Sequence, residues 1–160
     1  MMDTASLISE IQSRPAQTIV CDRILVPIDG SPASMHAVEW AIDLARAADA
    51  ELTILMVIDY DAHIFAFEQV SMSGYLPSEL KIAAYRFLAE LMHEIPRSVR
   101  AHTRVEEGDP GEVTVAVAAE EESHLIVMGS RGFGTFERIA FGSVSTYVTH
   151  HAHSPVLLVK

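Results

Sequence analysis

Arg23-Ile24-Leu25-Val26-Pro27-Ile28-Asp29-Gly30-Ser31-Pro32 is a short apolar run that ends in turn residues and a helix-start signal. Ser31 suits an N-cap and Pro32 the first helical position. Ala37, Ala41, Leu44, Ala45 and Ala48 then recur at helical spacing, which predicts a helix over about 32–48. A strand, a tight turn and a helix make the first half of a βαβ unit.

The same alternation repeats along the chain. Leu52–Ile58 is a second apolar run. Residues 59–76 are irregular, and Gly74 and Pro77 punctuate the way into the next element. A helix is expected over 78–94, with Leu80, Ala84, Phe87, Leu88 and Leu91 on one face and Pro96 as its stop. Over 99–105 the pattern alternates, Val99, Ala101, Thr103 and Val105 against Arg100, His102 and Arg104. That reads as a half-exposed strand near a sheet edge. Asp109-Pro110-Gly111-Glu112 resembles a capping box that opens a helix to about 122. Leu125–Met128 is a fully apolar strand, a helix is expected from about 143 to 151, and Pro155–Val159 is the last strand. The order βαβαβαβαβ, with right-handed crossovers, implies an α/β domain whose mostly parallel sheet carries helices on both faces.

Residues 1–21 lie outside this pattern as an N-terminal extension. Leu7, Ile8 and Ile11 fit one short amphipathic helix, but a frayed terminus is the favoured reading.

Composition narrows the function classes. Of 160 residues, 49% are apolar and 21% charged, which excludes a disordered chain. Eleven lysines and arginines against 22 aspartates and glutamates leave a net charge of −11. Phosphate backbones repel such a chain, and no basic stripe is visible for nucleic acid. No run of about 18 apolar residues is present to span a bilayer. Met1-Met2-Asp3-Thr4 carries no basic region ahead of an apolar stretch, so no signal peptide is expected. Cys21 is the single cysteine, which suits a reducing cytoplasm.

In a doubly wound sheet, ligands sit beyond the carboxyl ends of strands where the strand order reverses. Two strands end unusually here, one in Pro27-Ile28-Asp29-Gly30 and one in Gly129-Ser130-Arg131-Gly132-Phe133-Gly134. The glycines at 129, 132 and 134 permit positive φ and close approach of a ligand to the backbone. Gly142-Ser143 then opens a helix whose first N–H groups favour an anion. The residues between Gly132 and Gly142 must loop out and return. A polyphosphate would fit between the two glycine sites, with the hydroxyls of Ser143 and Ser145 as donors. Turns alone explain such glycines equally well. No Walker lysine is present, so charge compensation would fall to backbone dipoles, Arg131 or Arg138, and a divalent cation.

Gly129-x-x-Gly132, nine residues, then Gly142-Ser143 resembles the G-x2-G-x9-G-[ST] motif of the ATP-binding branch of the universal stress protein family. Supporting matches are Ile24-Leu25-Val26-Pro27-Ile28-Asp29-Gly30-Ser31, Val57-Ile58-Asp59, Gly108-Asp109-Pro110 and the closing Pro155–Val159, so the likeness covers 22–160. The resemblance implies an open five-stranded parallel sheet of order 3-2-1-4-5, Rossmann-like and similar to the adenine nucleotide alpha hydrolases. It implies that Asp29 and the backbone at Val57 hold adenine, that Pro27 lines that pocket, and that Met128 and Gly129 lie along the adenosine. Gly132, Gly142, Ser143, Val144 and Ser145 would contact phosphates and ribose, with Mg²⁺ or Mn²⁺ held through the phosphates. Dimerisation through the last strand is implied as well. The expected protein is therefore a cytoplasmic, homodimeric, ATP-binding regulator of stress response.

Several rivals stand beside it. A slow ATP phosphohydrolase, a binder of AMP or cyclic AMP, and a nucleotide-free scaffold dimer are all compatible with the fold. G-x-S-x-G is absent and nothing supplies a positioned general base, so fast catalysis is not expected. His150, His151 and His153 cluster, with His150 and His153 one helical turn apart, but no cysteine or nearby carboxylate completes a zinc set. Phe133 and Phe136 are read as packing residues, and Met35, Met56, Met92 and Met128 as core fillers.

Overall fold

The computed structural model describes residues 3–13, 20–60, 77–131 and 141–160. Its elements are α1 (Thr4–Ser13), β1 (Arg23–Ile28), α2 (Pro32–Ala48), β2 (Glu51–Ile58), α3 (Pro77–Glu94), β3 (Arg100–Glu107), α4 (Pro110–Glu120), β4 (Leu125–Gly129), α5 (Ser143–His151) and β5 (Val156–Val159). The five strands form one parallel sheet of order β3-β2-β1-β4-β5. The strand order therefore reverses between β1 and β4, where a crevice is expected.

Period-two alternation divides each central strand between two cores. Ile24, Val26 and Ile28 of β1, with Leu52 and Ile54 of β2, pack under α2 and α3 against Ala37, Val38, Ala41 and Leu88. Leu25, Leu55, Ile126 and Met128 face the other way and meet Val117, Ala118 and Val148 of α4 and α5. Leu25, Leu52, Ile54, Leu55 and Ile126 are fully buried. Truncating any of them to alanine costs about 2–5 kcal/mol, because the transfer free energy is lost and a cavity remains.

The helix starts follow the capping rules. Ser31 accepts from the Ser34 N–H with Pro32 at the first position, and Asp109 accepts from the Glu112 N–H at 2.9 Å with Pro110 in the same role. β3 is an edge strand with one half-exposed face, as its alternation predicts. Arg104 on that edge bonds Glu106, Glu120 and Glu121, which ties β3 to the end of α4 and raises the guanidinium's already high pKa further.

Two expectations need correction. Thr4–Ser13 is a helix rather than a frayed stretch. The Asp3 carboxylate accepts the Ser6 N–H at 2.7 Å, a cap that hydrophobic spacing does not reveal. His150 and His153 are not one helical turn apart, because α5 stops at His151 and Ala152 is its extended C-cap. His151 stacks on Tyr147 and bonds the Tyr147 carbonyl. Among the described residues no group of three potential metal ligands assembles, and no helix is long and apolar enough to cross a membrane.

Candidate functional site: the crevice between β1 and β4

β1 pairs with β2 along its whole length, from Arg23↔Glu51 to Ile28↔Met56. Its pairing with β4 stops early, at Leu25↔Ile126. Pro27 has no N–H to give a ladder, and beyond Leu25 the two strands part. Pro27, Val57 and Met128 each lie two residues past a member of the second core, on the same face. They form the apolar wall of a cleft of about 200 Å³ that opens at the strands' carboxyl ends.

The other walls come from turns and helix starts. Asp29 stands at the mouth, and its Oδ1 accepts the Ser31 N–H at 2.9 Å, so part of the carboxylate shapes the β1–α2 turn. Gly30 takes φ 81°, a conformation that glycine adopts without strain. Pro110 and Thr114 enter from α4, Ser34 from α2, and Gly142, Ser143, Val144 and Ser145 from α5. Arg131 follows β4 at the rim, solvent-exposed. Ten of the eleven residues singled out from the sequence thus line one cleft: Pro27, Asp29, Val57, Met128, Gly129, Arg131, Gly142, Ser143, Val144 and Ser145. Gly132 lies outside the described residues, as do Phe133, Gly134, Phe136 and Arg138.

The end of β4 and the start of α5 are joined directly. The Gly142 N–H donates to the Ser130 carbonyl at 2.8 Å, and the Ser145 hydroxyl donates to that same oxygen at 2.9 Å. Ser130 itself is buried and gives its N–H to the Val159 carbonyl. Ser130 is therefore the clasp that holds the start of α5 against the end of β4. The sequence does not single it out, because a serine between Gly129 and Arg131 carries no pattern signal. Pro110, Thr114 and Ser34 were also missed as lining residues; only the strand order brings them to the cleft.

The clasp revises two roles. The Ser145 hydroxyl was expected to donate to phosphate, yet its proton is engaged by the carbonyls of Ser130 and Gly142. Gly129 was expected to admit a ligand. Here a Cβ at that position would sit 2.9 Å from the backbone of Ala33 and Ser34, so the glycine lets α2 pack against β4. Neither Gly129 nor Gly142 has positive φ.

What remains open to an anion is the first turn of α5. Its N-cap is Gly142, which has no side chain to accept the helix's leading amides. The first intrahelical bond runs from the Thr146 N–H to the Gly142 carbonyl. The N–H groups of Ser143, Val144 and Ser145 precede it, so helix geometry gives them no partner within α5. They carry the positive end of the helix dipole into the cleft. The perturbed carboxylate among the described residues lies elsewhere. Lys81, at 3.0 Å, bonds Glu107 and holds its carboxyl below the usual range, with Tyr60 as a second donor, and this pair pins α3 to β3.

A model of the universal stress protein family matches residues 21–160. The chain belongs to the universal stress protein family. Universal stress protein MJ0531 of Methanocaldococcus jannaschii is 34% identical over 151 residues, covering 86% of this chain and 81% of that one. The solved structure of the protein MJ0577 superposes with a TM-score of 0.77 at 26% identity, covering 89% of this chain and 97% of its own. A universal stress protein in complex with cAMP matches at a TM-score of 0.62 and 26% identity, over 87% and 96% of the two chains. The family's Rossmann-like sheet and the strand order described above agree, and an adenine nucleotide is bound by at least one structural relative.

Proposed function

We propose that this universal stress protein binds an adenine nucleotide, ATP by preference, in the β1–β4 cleft and acts as a nucleotide-dependent regulator rather than a fast enzyme. The observation that carries this reading is the uncapped start of α5, clasped by Ser130 beside an apolar wall. Adenine, an aromatic and largely apolar ring, suits the wall of Pro27, Val57 and Met128. Asp29 and the Val57 backbone would hold its polar edge, Gly129 would lie along the sugar, and the amides at 143–145 would receive phosphate oxygens. Gly132 belongs to the same motif and would complete the cradle. Mg²⁺ or Mn²⁺ would be held by the phosphates and water, since magnesium commonly keeps most of its hydration when bound to nucleotides.

Thermal unfolding tests the reading. ATP with Mg²⁺ should raise the melting temperature, and native mass spectrometry of the purified protein should show an added adenine nucleotide. No shift and no added mass would contradict it. The relative in complex with cAMP supports a second reading, in which a monophosphate or cyclic monophosphate occupies the cleft. Competition among ATP, AMP and cAMP separates the two.

A homodimer through β5 is part of the same proposal. β5 ends the sheet with the apolar run Val156–Val159, and an apolar edge invites a covering strand. β3, at the opposite edge, alternates charge and is guarded. Sedimentation equilibrium should report a dimer; a monomer at micromolar concentration would contradict this. The cytoplasm is the compartment proposed, consistent with the single cysteine.

A further inference from the structure

Gly111, the second residue of α4, is buried against α5. A Cβ at that position would lie 2.8 Å from Cδ1, 3.0 Å from Cγ and 3.1 Å from Cβ of Tyr147. Carbon atoms in contact sit about 3.5–4.0 Å apart, so any side chain there would force the two helices away from each other. Tyr147 cannot readily yield. The atoms it presents are the root of its side chain, and its ring is stacked on His151, with centroids 4.0 Å apart and planes 18° apart. Glycine weakens a helix, and here the close approach accounts for it. The contact lies one turn below the cleft. Tyr147 follows Ser143 by four residues and shares its face of α5, and Gly111 follows Pro110 directly. Ser143 and Pro110 line the cleft, whereas Gly111 and Tyr147 do not.

We propose that the Gly111–Tyr147 contact is a spacer that sets the distance between the starts of α4 and α5, and with it the aim of the amides at 143–145. Ser130 ties that turn to β4, and Tyr147 seats it against α4, so the turn is located from two directions. Both members of the contact are positioning residues that act through α5 and touch no ligand. The inference rests on the nucleotide reading above and adds to it what fixes the width of the cleft. The base is assigned to Pro27, Val57 and Met128, which belong to β1, β2 and β4 and do not move with the helix pair. Parting the helices therefore acts on the phosphates and spares the base. A 1 Å misplacement of binding groups can cost on the order of 100-fold, and a shift of roughly half an ångström correspondingly less.

The test is a calorimetric titration of the full chain with ATP and with adenosine, on wild type, Gly111→Ala, Tyr147→Ala and the double variant, with melting temperatures to verify folding. Gly111→Ala should weaken ATP by roughly tenfold and leave adenosine unchanged. Tyr147→Ala, which makes room rather than taking it, should weaken ATP by roughly threefold and again spare adenosine. The two substitutions touch one another, so their effects should not add, and the double variant should regain ATP affinity to within roughly threefold of wild type. The spacer is overturned, while nucleotide binding stands, if folded Gly111→Ala binds ATP as wild type does, if it loses ATP and adenosine equally, or if the double variant binds ATP no better than Gly111→Ala. Should Gly111→Ala not fold, Tyr147→Ala decides, and wild-type ATP affinity in it would overturn the spacer. If wild type binds neither ligand, the nucleotide reading falls and the spacer with it.

Discussion

Helices α4 and α5 both begin on the same cleft, yet their first turns are built differently. At α4, the Asp109 carboxylate accepts the Glu112 N–H and Pro110 fills the first position, where no N–H is needed. At α5, Gly142 offers no side chain, and the chain invests instead in fastening the turn from behind through Ser130. The first helix start is finished by its own sequence. The second is fastened but uncapped, and in the proposed function an anion would supply what a capping side chain does. On the proposed function, one helix terminus serves stability and the other serves binding.

The largest expected effect comes from finishing α5 artificially. Gly142 has φ −75° and ψ 164°, which suit any residue. Gly142→Asp should cap α5 and place a negative charge where phosphate would sit. Hydrogen bonds to charged groups contribute about 1.5–3 kcal/mol, so ATP should bind on the order of 100-fold more weakly, with the fold intact by circular dichroism. Unchanged ATP affinity in a folded variant would break the comparison.

Loosening the clasp is the next step down. Ser145→Ala removes a donor from the buried Ser130 carbonyl, which keeps its bond from Gly142. Stability should fall by about 1 kcal/mol in urea unfolding, and ATP affinity by roughly fivefold as the amides lose their fixed aim.

The reciprocal substitution sharpens the contrast. Asp109→Ala should cost about 1 kcal/mol of stability, the usual value of an N-cap, with ATP affinity unchanged by titration. A loss of affinity there would mean that both helix starts serve the ligand.

These roles were unequally legible in the sequence. The strands and main helices were readable because apolar runs, capping serines and prolines speak locally. The edge position of β3 was readable from its alternation. The crevice residues were named from a motif, and the topology then brought ten of them together. What sequence alone hid depends on contacts across the fold. Gly129 is small because the backbone of α2 passes 2.9 Å from where its Cβ would be. Ser130 matters because three separate segments meet at its backbone and carbonyl. Pro27 reads as a strand residue, but its effect is visible only once β4 is seen to leave β1 after Leu25. The helix at Thr4–Ser13 was legible as a short amphipathic alternative but not favoured, because its cap, Asp3, lies ahead of a weak apolar pattern.

The smallest expected effect lies at the end of β3, two residues before the Asp109 cap, and serves as a control for the α5 start. Glu107 is held below its ordinary range by the Lys81 hydrogen bond and then by the Lys81 charge. A lowered folded-state pKa stabilises the fold above the unfolded glutamate value of about 4.3, and that contribution is lost as pH falls through the lowered value. Glu107→Gln should therefore flatten slightly the decline of melting temperature below about pH 4.5 and leave ATP affinity untouched.

Amide hydrogen exchange measured residue by residue, with and without ATP and Mg²⁺, is the most direct test of the α5 start as an anion site. Exchange at Ser143, Val144 and Ser145 should slow on addition of nucleotide, while Gly111, Glu112 and Val113 at the start of α4 should not respond. Equal exchange at 143–145 in the two conditions, with ATP bound, would contradict the assignment of those amides to the phosphates.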